Sequence, residues 1–86
     1  MLAVIWSKYQ CPYCDKAKNL LKMRNIPFEE RKIGDGWTKE ELLEAVPQAR
    51  SVPQIFLGEK YIGGYDQLAK YIDETGFNGT GHTIGT

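Results

Sequence analysis

Cys11-Pro12-Tyr13-Cys14 holds the only two thiols of the chain, two residues apart at the start of a helical pattern, and the chemistry this spacing suits is a dithiol that cycles with a disulfide. As a structural staple the pair is poor, because a ring this small removes only about 2 kcal/mol of unfolded-chain entropy. As a zinc site it is short of donors: a closed site takes four nitrogen or sulfur ligands, and beyond the cysteines there is only His82, in a remote Gly-rich tail. No metal is therefore expected. At a helix N-terminus the sulfur of Cys11 faces unpaired backbone N–H groups and the positive end of the macrodipole, both of which favour the thiolate that attacks disulfides. Lys8, three residues upstream, adds positive charge, while Asp15 reads as a dipole-compensating residue of the first turn. Cys14 falls one turn along, at a Cα separation of about 5 to 6 Å that a disulfide can span. Being inside the helix it should be the less exposed sulfur, so Cys11 is assigned the attack and Cys14 the resolution.

The rest of the composition sets limits. With 86 residues, 42% hydrophobic and 26% charged, the chain suits a single domain burying roughly 60 to 65% of its unfolded surface, a core that needs no crosslink. Eleven basic and eleven acidic side chains cancel, which argues against nucleic acid or an anionic membrane as partner. Lys16, Lys18, Lys22 and Arg24 read as a solvated helix face. The apolar opening from Leu2 to Trp6 has no basic flank and meets Ser7-Lys8 at once, too short for a signal peptide or a membrane span. A cytoplasmic protein is expected, where thiols are kept reduced and a Cys-x-x-Cys is more often catalytic than structural.

Residues 2–6 form a continuous apolar run, the mark of a central strand covered on both faces. Pro12 fits the first helical position, and Tyr13, Ala17, Leu20 and Leu21 share one stripe of a helix that should stop near Asn25, ahead of Pro27. Phe28 to Ile33 is a charged strand suited to an edge. After Gly34-Asp35-Gly36, Thr38 to Glu41 is a capping box opening a second helix with Leu42, Leu43 and Val46 inward. Gln54 to Leu57 and Lys60 to Ile62 flank Gly58-Glu59, a type II′ hairpin connection. Tyr65, Leu68, Ala69 and Ile72 mark a last helix ending at Gly76. The order β-α-β-α-β-β-α predicts an α/β protein of thioredoxin fold, a mixed four-stranded sheet with helices on both faces. The domain should run over 1–76, with 77–86 a flexible tail.

The chain resembles the small dithiol glutaredoxins. Four elements carry the likeness over about residues 2–74: Lys8 before the first cysteine, Cys11-Pro12-Tyr13-Cys14, Ser51-Val52-Pro53-Gln54-Ile55-Phe56, and Ile62-Gly63-Gly64-Tyr65-Asp66. The resemblance implies a glutathione-dependent thiol–disulfide oxidoreductase with no permanently bound cofactor and glutathione as co-substrate. Val52 would pair its backbone with the cysteinyl unit of glutathione, next to a cis Pro53. Gly64, Tyr65 and Asp66 would hold the γ-glutamyl end, and Lys8 and Tyr13 would flank the glycyl end and the sulfur. On the residues alone, Pro53 could equally start a strand and Asp66 be a helix N-cap. Where many glutaredoxins meet the glycyl carboxylate from the second helix, this chain offers only Lys39. Tyr65 is bulkier than the Cys or Ser usual at its position and should narrow the groove. Trp37, near the same rim, reads as packing. Partners implied are glutathione and glutathionylated or disulfide-bearing proteins, ribonucleotide reductase among them, met by a monomer. Two other readings stand beside this one. The first is a redoxin-type electron donor reduced by a flavoprotein reductase. The second is a module sharing an iron–sulfur cluster, which Pro12 disfavours by the same likeness.

Overall fold

A computed structural model describes residues 2–76; the tail expected over 77–86, with His82, lies outside the described residues. Seven elements follow in the expected order: β1 (Ala3–Lys8), α1 (Pro12–Met23), β2 (Phe28–Ile33), α2 (Lys39–Ala45), β3 (Gln54–Leu57), β4 (Lys60–Gly63) and α3 (Tyr65–Thr75). They form one four-stranded sheet in the order β2-β1-β3-β4. β1 pairs in parallel with β2 across the α1 crossover and antiparallel with β3, and β4 closes the hairpin onto β3. This is the thioredoxin arrangement.

The unbroken apolar run of β1 follows from its central place. Successive side chains leave a strand on opposite faces, so Ala3 and Ile5 enter one core with Ala17 and Leu21 of α1 and Leu68 and Ile72 of α3. Val4 and Trp6 enter the other, with Leu42 and Val46 from α2 and its end. Each large side chain so buried contributes about 1.5 to 3 kcal/mol of transfer free energy. β2 is the charged edge strand expected, and β4, at the other edge, presents Lys60 and Tyr61 to solvent.

Local signals act where the sequence puts them. Pro12 opens α1 directly behind the N-cap Cys11, and the chain turns out of α1 through Asn25, with φ 58°. The capping box is complete: Thr38 Oγ1 accepts the Glu41 N–H at 3.2 Å and Glu41 Oε1 accepts the Thr38 N–H at 2.9 Å. Gly58 takes φ 63°, and Gly76 ends α3 at φ 66°. Trp37 packs edge-on against Trp6, ring centroids 5.4 Å apart, with the Arg31 guanidinium 4.6 Å from its centroid; packing is its role, as expected.

Four details differ from expectation. Leu2 lies outside β1 and is exposed, because the strand starts at Ala3. The inward stripe of α1 begins at Cys14: with Cys11 as N-cap, the helix phase turns Cys14, Ala17 and Leu21 inward and leaves Tyr13 55% exposed. On α2, Leu42 and Val46 are buried but Leu43 is only partly covered and outside the core. Lys18 is not simply solvated. Its Nζ sits 3.0 Å from Glu30 Oε2 on β2 and 3.5 Å from Asp15 Oδ1, and the buried Ser7 hydroxyl of β1 donates to the same Glu30 oxygen at 2.6 Å. Burial alone would push the Glu30 carboxyl up, but the bonds from Ser7 and Lys18 outweigh it and hold the group below the usual carboxylate range. The bond to Glu30 raises Lys18 in turn, against some desolvation. This cluster joins α1, which carries the cysteines, to two strands.

Candidate active site

β1 delivers the chain to the top of the sheet, where Gln10, at φ 54°, turns it sharply into Cys11. Cys11 adopts extended backbone angles, as an N-cap does, and its Sγ accepts the Cys14 backbone N–H at 3.2 Å. A sulfur thus occupies the position of the usual oxygen cap. The two cysteines are joined as a disulfide with Cα atoms 5.2 Å apart. Cys11 is 8% exposed and Cys14 1%, the order expected for an outer and an inner sulfur. Cys11 Sγ also lies 3.8 Å from the carbonyl oxygen of Val52, contributed from 41 residues along the chain. The Val52–Pro53 peptide is cis.

Two hollows in the surface share Ser51 and Val52 as lining, and the Val52 carbonyl is the one that approaches Cys11. The first, about 180 Å³, is lined by Tyr13, Val52 and Pro53 together with Gly64, Tyr65 and Asp66 at the start of α3. Six of the residues singled out in the sequence therefore meet in one groove. The rings of Tyr13 and Tyr65 approach to 6.1 Å, so Tyr65 does narrow it. Lys8 stands apart from these six. It lines the second hollow, about 240 Å³, with Lys39 and Arg50 above a floor that includes Ile33, Leu42 and Val52.

Two contributors were not singled out from the sequence. Arg50 joins the second hollow, and its only advance signal is its place two residues before Val52. Gln67 borders the first hollow and folds its Oε1 back to accept the Gly64 N–H at 3.1 Å. That donor is thus already engaged, and the N–H groups left at the helix start are those of Tyr65, Asp66 and Gln67, which have no partner within the helix. Gln54, buried behind the loop, donates to the Ser51 carbonyl at 2.9 Å and accepts from the Tyr61 hydroxyl at 2.5 Å, bracing the segment that carries Val52. No group of three or more His, Cys, Asp or Glu side chains arranged to hold a metal occurs among the described residues.

Chemically, the arrangement supports exchange between a thiol pair and an incoming disulfide. The Cys14 N–H and the α1 dipole stabilise negative charge on the outer sulfur once the pair is reduced. Val52 offers backbone polar groups beside it, and the two hollows carry opposite charge, Asp66 in one and three cations in the other.

Comparison with known proteins agrees. The glutaredoxin family model matches residues 3–62. The chain is 45% identical over 67 residues to the hybrid peroxiredoxin hyPrx5 of Haemophilus influenzae, covering 78% of this chain but only 27% of that protein. It is 40% identical over 65 residues to glutaredoxin 3 of Escherichia coli, covering 74% of this chain and 77% of that one. The crystal structure of a buckwheat glutaredoxin–glutathione complex superposes with a TM-score of 0.69 at 30% identity, over 84% of this chain and 69% of that one. The thiol pair at the head of α1, the sheet order beneath it and these matches lead to one conclusion: the chain belongs to the glutaredoxin family, and Cys11 and Cys14 are its redox-active disulfide.

Proposed function

We propose that the chain is a glutathione-dependent thiol–disulfide oxidoreductase in which Cys11 attacks and Cys14 resolves. The observation that carries this is the approach of Cys11 Sγ to the Val52 backbone at 3.8 Å, on the wall of a groove ending at Asp66 and the start of α3. A γ-glutamyl group suits that end, its ammonium on the Asp66 carboxylate and its α-carboxylate on the Tyr65 and Asp66 N–H groups. Its cysteinyl unit would lie along Val52, and its glycyl carboxylate would reach Lys8 and Lys39.

With a protein–glutathione mixed disulfide, the Cys11 thiolate attacks the glutathione sulfur. The protein–glutathione S–S bond breaks, a Cys11–glutathione bond forms, and the protein thiolate leaves and takes a proton. A second glutathione thiolate then attacks the glutathione sulfur held on Cys11, giving glutathione disulfide and free Cys11. With a protein disulfide, Cys11 first forms a mixed disulfide with the protein. Cys14 then attacks Cys11 Sγ, displacing the protein as thiol and leaving the Cys11–Cys14 disulfide. Two electrons and two protons pass to the substrate.

The test is a coupled assay with a small glutathione mixed disulfide, glutathione, glutathione reductase and NADPH. Cys14→Ser should retain turnover of the mixed disulfide and lose reduction of protein disulfides, and Cys11→Ser should lose both. Turnover by Cys11→Ser would overturn the roles, and silence from the unmodified chain would overturn glutathione dependence.

A further inference from the structure

The second hollow holds more positive charge than glutathione can answer. Lys8 comes from β1, Lys39 from the first turn of α2, and Arg50 from the loop before Val52. All three are exposed, no carboxylate lines the hollow, and none of the three is in an ion pair among the described residues. The acidic neighbour Glu41 is turned away into the capping box. One glycyl carboxylate reaching Lys8 and Lys39 would set a single negative charge against three positive ones and leave Arg50 without a partner. Beneath them the floor is apolar, which lowers the local dielectric and lengthens the reach of each charge. Across Val52 the sign reverses at Asp66. A chain with no net charge is thus strongly polar across its reactive sulfur.

We infer that this hollow selects protein disulfides whose reactive cysteine is followed by acidic residues, the side chains on that flank entering between Lys8, Lys39 and Arg50. The direction rests on the glutathione reading above, which puts the γ-glutamyl side of the cysteine at Asp66 and the opposite side at Lys8. An extended peptide laid along Val52 in the same sense brings the residues after its cysteine over the hollow. Their acidic groups are answered there, whereas acidic residues before the cysteine would face Asp66. The chemistry is that of the protein-disulfide branch: Cys11 takes the peptide sulfur, the other thiol leaves, and Cys14 releases the peptide.

The experiment uses the full chain, reduced beforehand and freed of reductant, with no glutathione present. Three peptides carry their cysteine as a 2-pyridyl disulfide, so that pyridinethione release reports attack: Ala-Cys-Glu-Glu, Ala-Cys-Gln-Gln and Glu-Glu-Cys-Ala, each blocked at both ends. Rates are divided by those with dithiothreitol to remove intrinsic reactivity. At low ionic strength the Cys-Glu-Glu peptide should react about fivefold faster than its Gln counterpart, the scale of one or two partly exposed ion pairs, and Glu-Glu-Cys no faster than Gln. In Arg50→Gln the preference should fall about twofold or more and in Arg50→Lys persist; in 0.5 M salt it should shrink towards unity, as screening requires. Because the ratio is taken within each protein, a smaller folded fraction cancels. A ratio near one in the unmodified chain, a ratio unmoved in Arg50→Gln, or a preference for Glu before the cysteine overturns the inference. With glutathione absent, failure of the coupled assay alongside a preserved ratio would count against the glutathione reading alone.

Discussion

Replacing Glu30 by Gln separates the charge of the Ser7–Glu30–Lys18 cluster from its shape. Glu30 accepts two bonds at one oxygen, from Ser7 at 2.6 Å and from Lys18 at 3.0 Å, and hydrogen bonds to a charged group contribute about 1.5 to 3 kcal/mol when well buried. The side chains of Lys18 and Glu30 remain 21% and 27% exposed, so solvent screens part of this, and a Gln oxygen still accepts from Ser7. The expected loss is about 1 to 2 kcal/mol at neutral pH, or about 5 to 15 °C in Tm for a chain of this size. The sign with pH follows from the carboxyl being held below its unfolded value. The stabilisation is fully present above the unfolded Glu pKa of about 4.3 and is lost as pH falls through the lower folded value. Lys18, raised in the fold, keeps its share below its unfolded pKa of about 10.4 and loses it only above that. Thermal melts of the unmodified chain and Glu30→Gln, followed by circular dichroism from pH 2 to 9, should therefore differ by a constant amount from about pH 5 upward and converge towards pH 2. Equal melting at pH 7, or a gap that persists undiminished to pH 2, would refute the reasoning.

Four further substitutions test backbone and core. Gly63→Ala places a Cβ at 3.2 and 3.3 Å from the Gln67 side chain on a backbone with φ 118°, and should cost about 1 to 3 kcal/mol while disturbing the Gln67 bond to Gly64. Gly36→Ala, with φ 91° and nothing within 4 Å, should cost less, and urea denaturation of the two side by side checks the difference. Trp6 is 1% exposed and its Nε1 has no hydrogen-bond partner among the described residues. Trp6→Phe removes that unpaired donor as it removes volume, so its net loss should stay below about 1.5 kcal/mol, against about 3 to 5 for Trp6→Ala. A Phe variant as unstable as the Ala variant would show that the indole N–H is satisfied.

What was legible in the sequence was what short stretches decide. The thiol pair with Pro12, the Thr38 capping box, the Gly58 hairpin and the Gly76 helix end each rest on a few neighbouring residues, and the apolar run of β1 announced a strand covered twice. What was not legible depends on elements far apart in the chain meeting. Lys18 looked solvated because Glu30 lies 12 residues away and on another element. Arg50 and Lys8 converge only because β1 and the loop before β3 end at the same edge of the site. Tyr13 joined the inward stripe on spacing alone, since only the N-cap role of Cys11 fixes the phase that turns Cys14 inward instead. Nor does any local pattern reveal that Val52 stands between two hollows of opposite charge.

The central position of β1 has a consequence for the order in which the protein is made. The residues of β1, α1 and β2, both cysteines among them, are all in the chain by Ile33. Val52, which walls both hollows, comes 19 residues later, by subtraction from Ile33. At about 5 to 20 residues per second of synthesis, about 1 to 4 s separate the end of β2 from the arrival of Val52. The thiol pair therefore enters the chain before the surfaces beside it, and its surroundings are finished by the second half of the sequence.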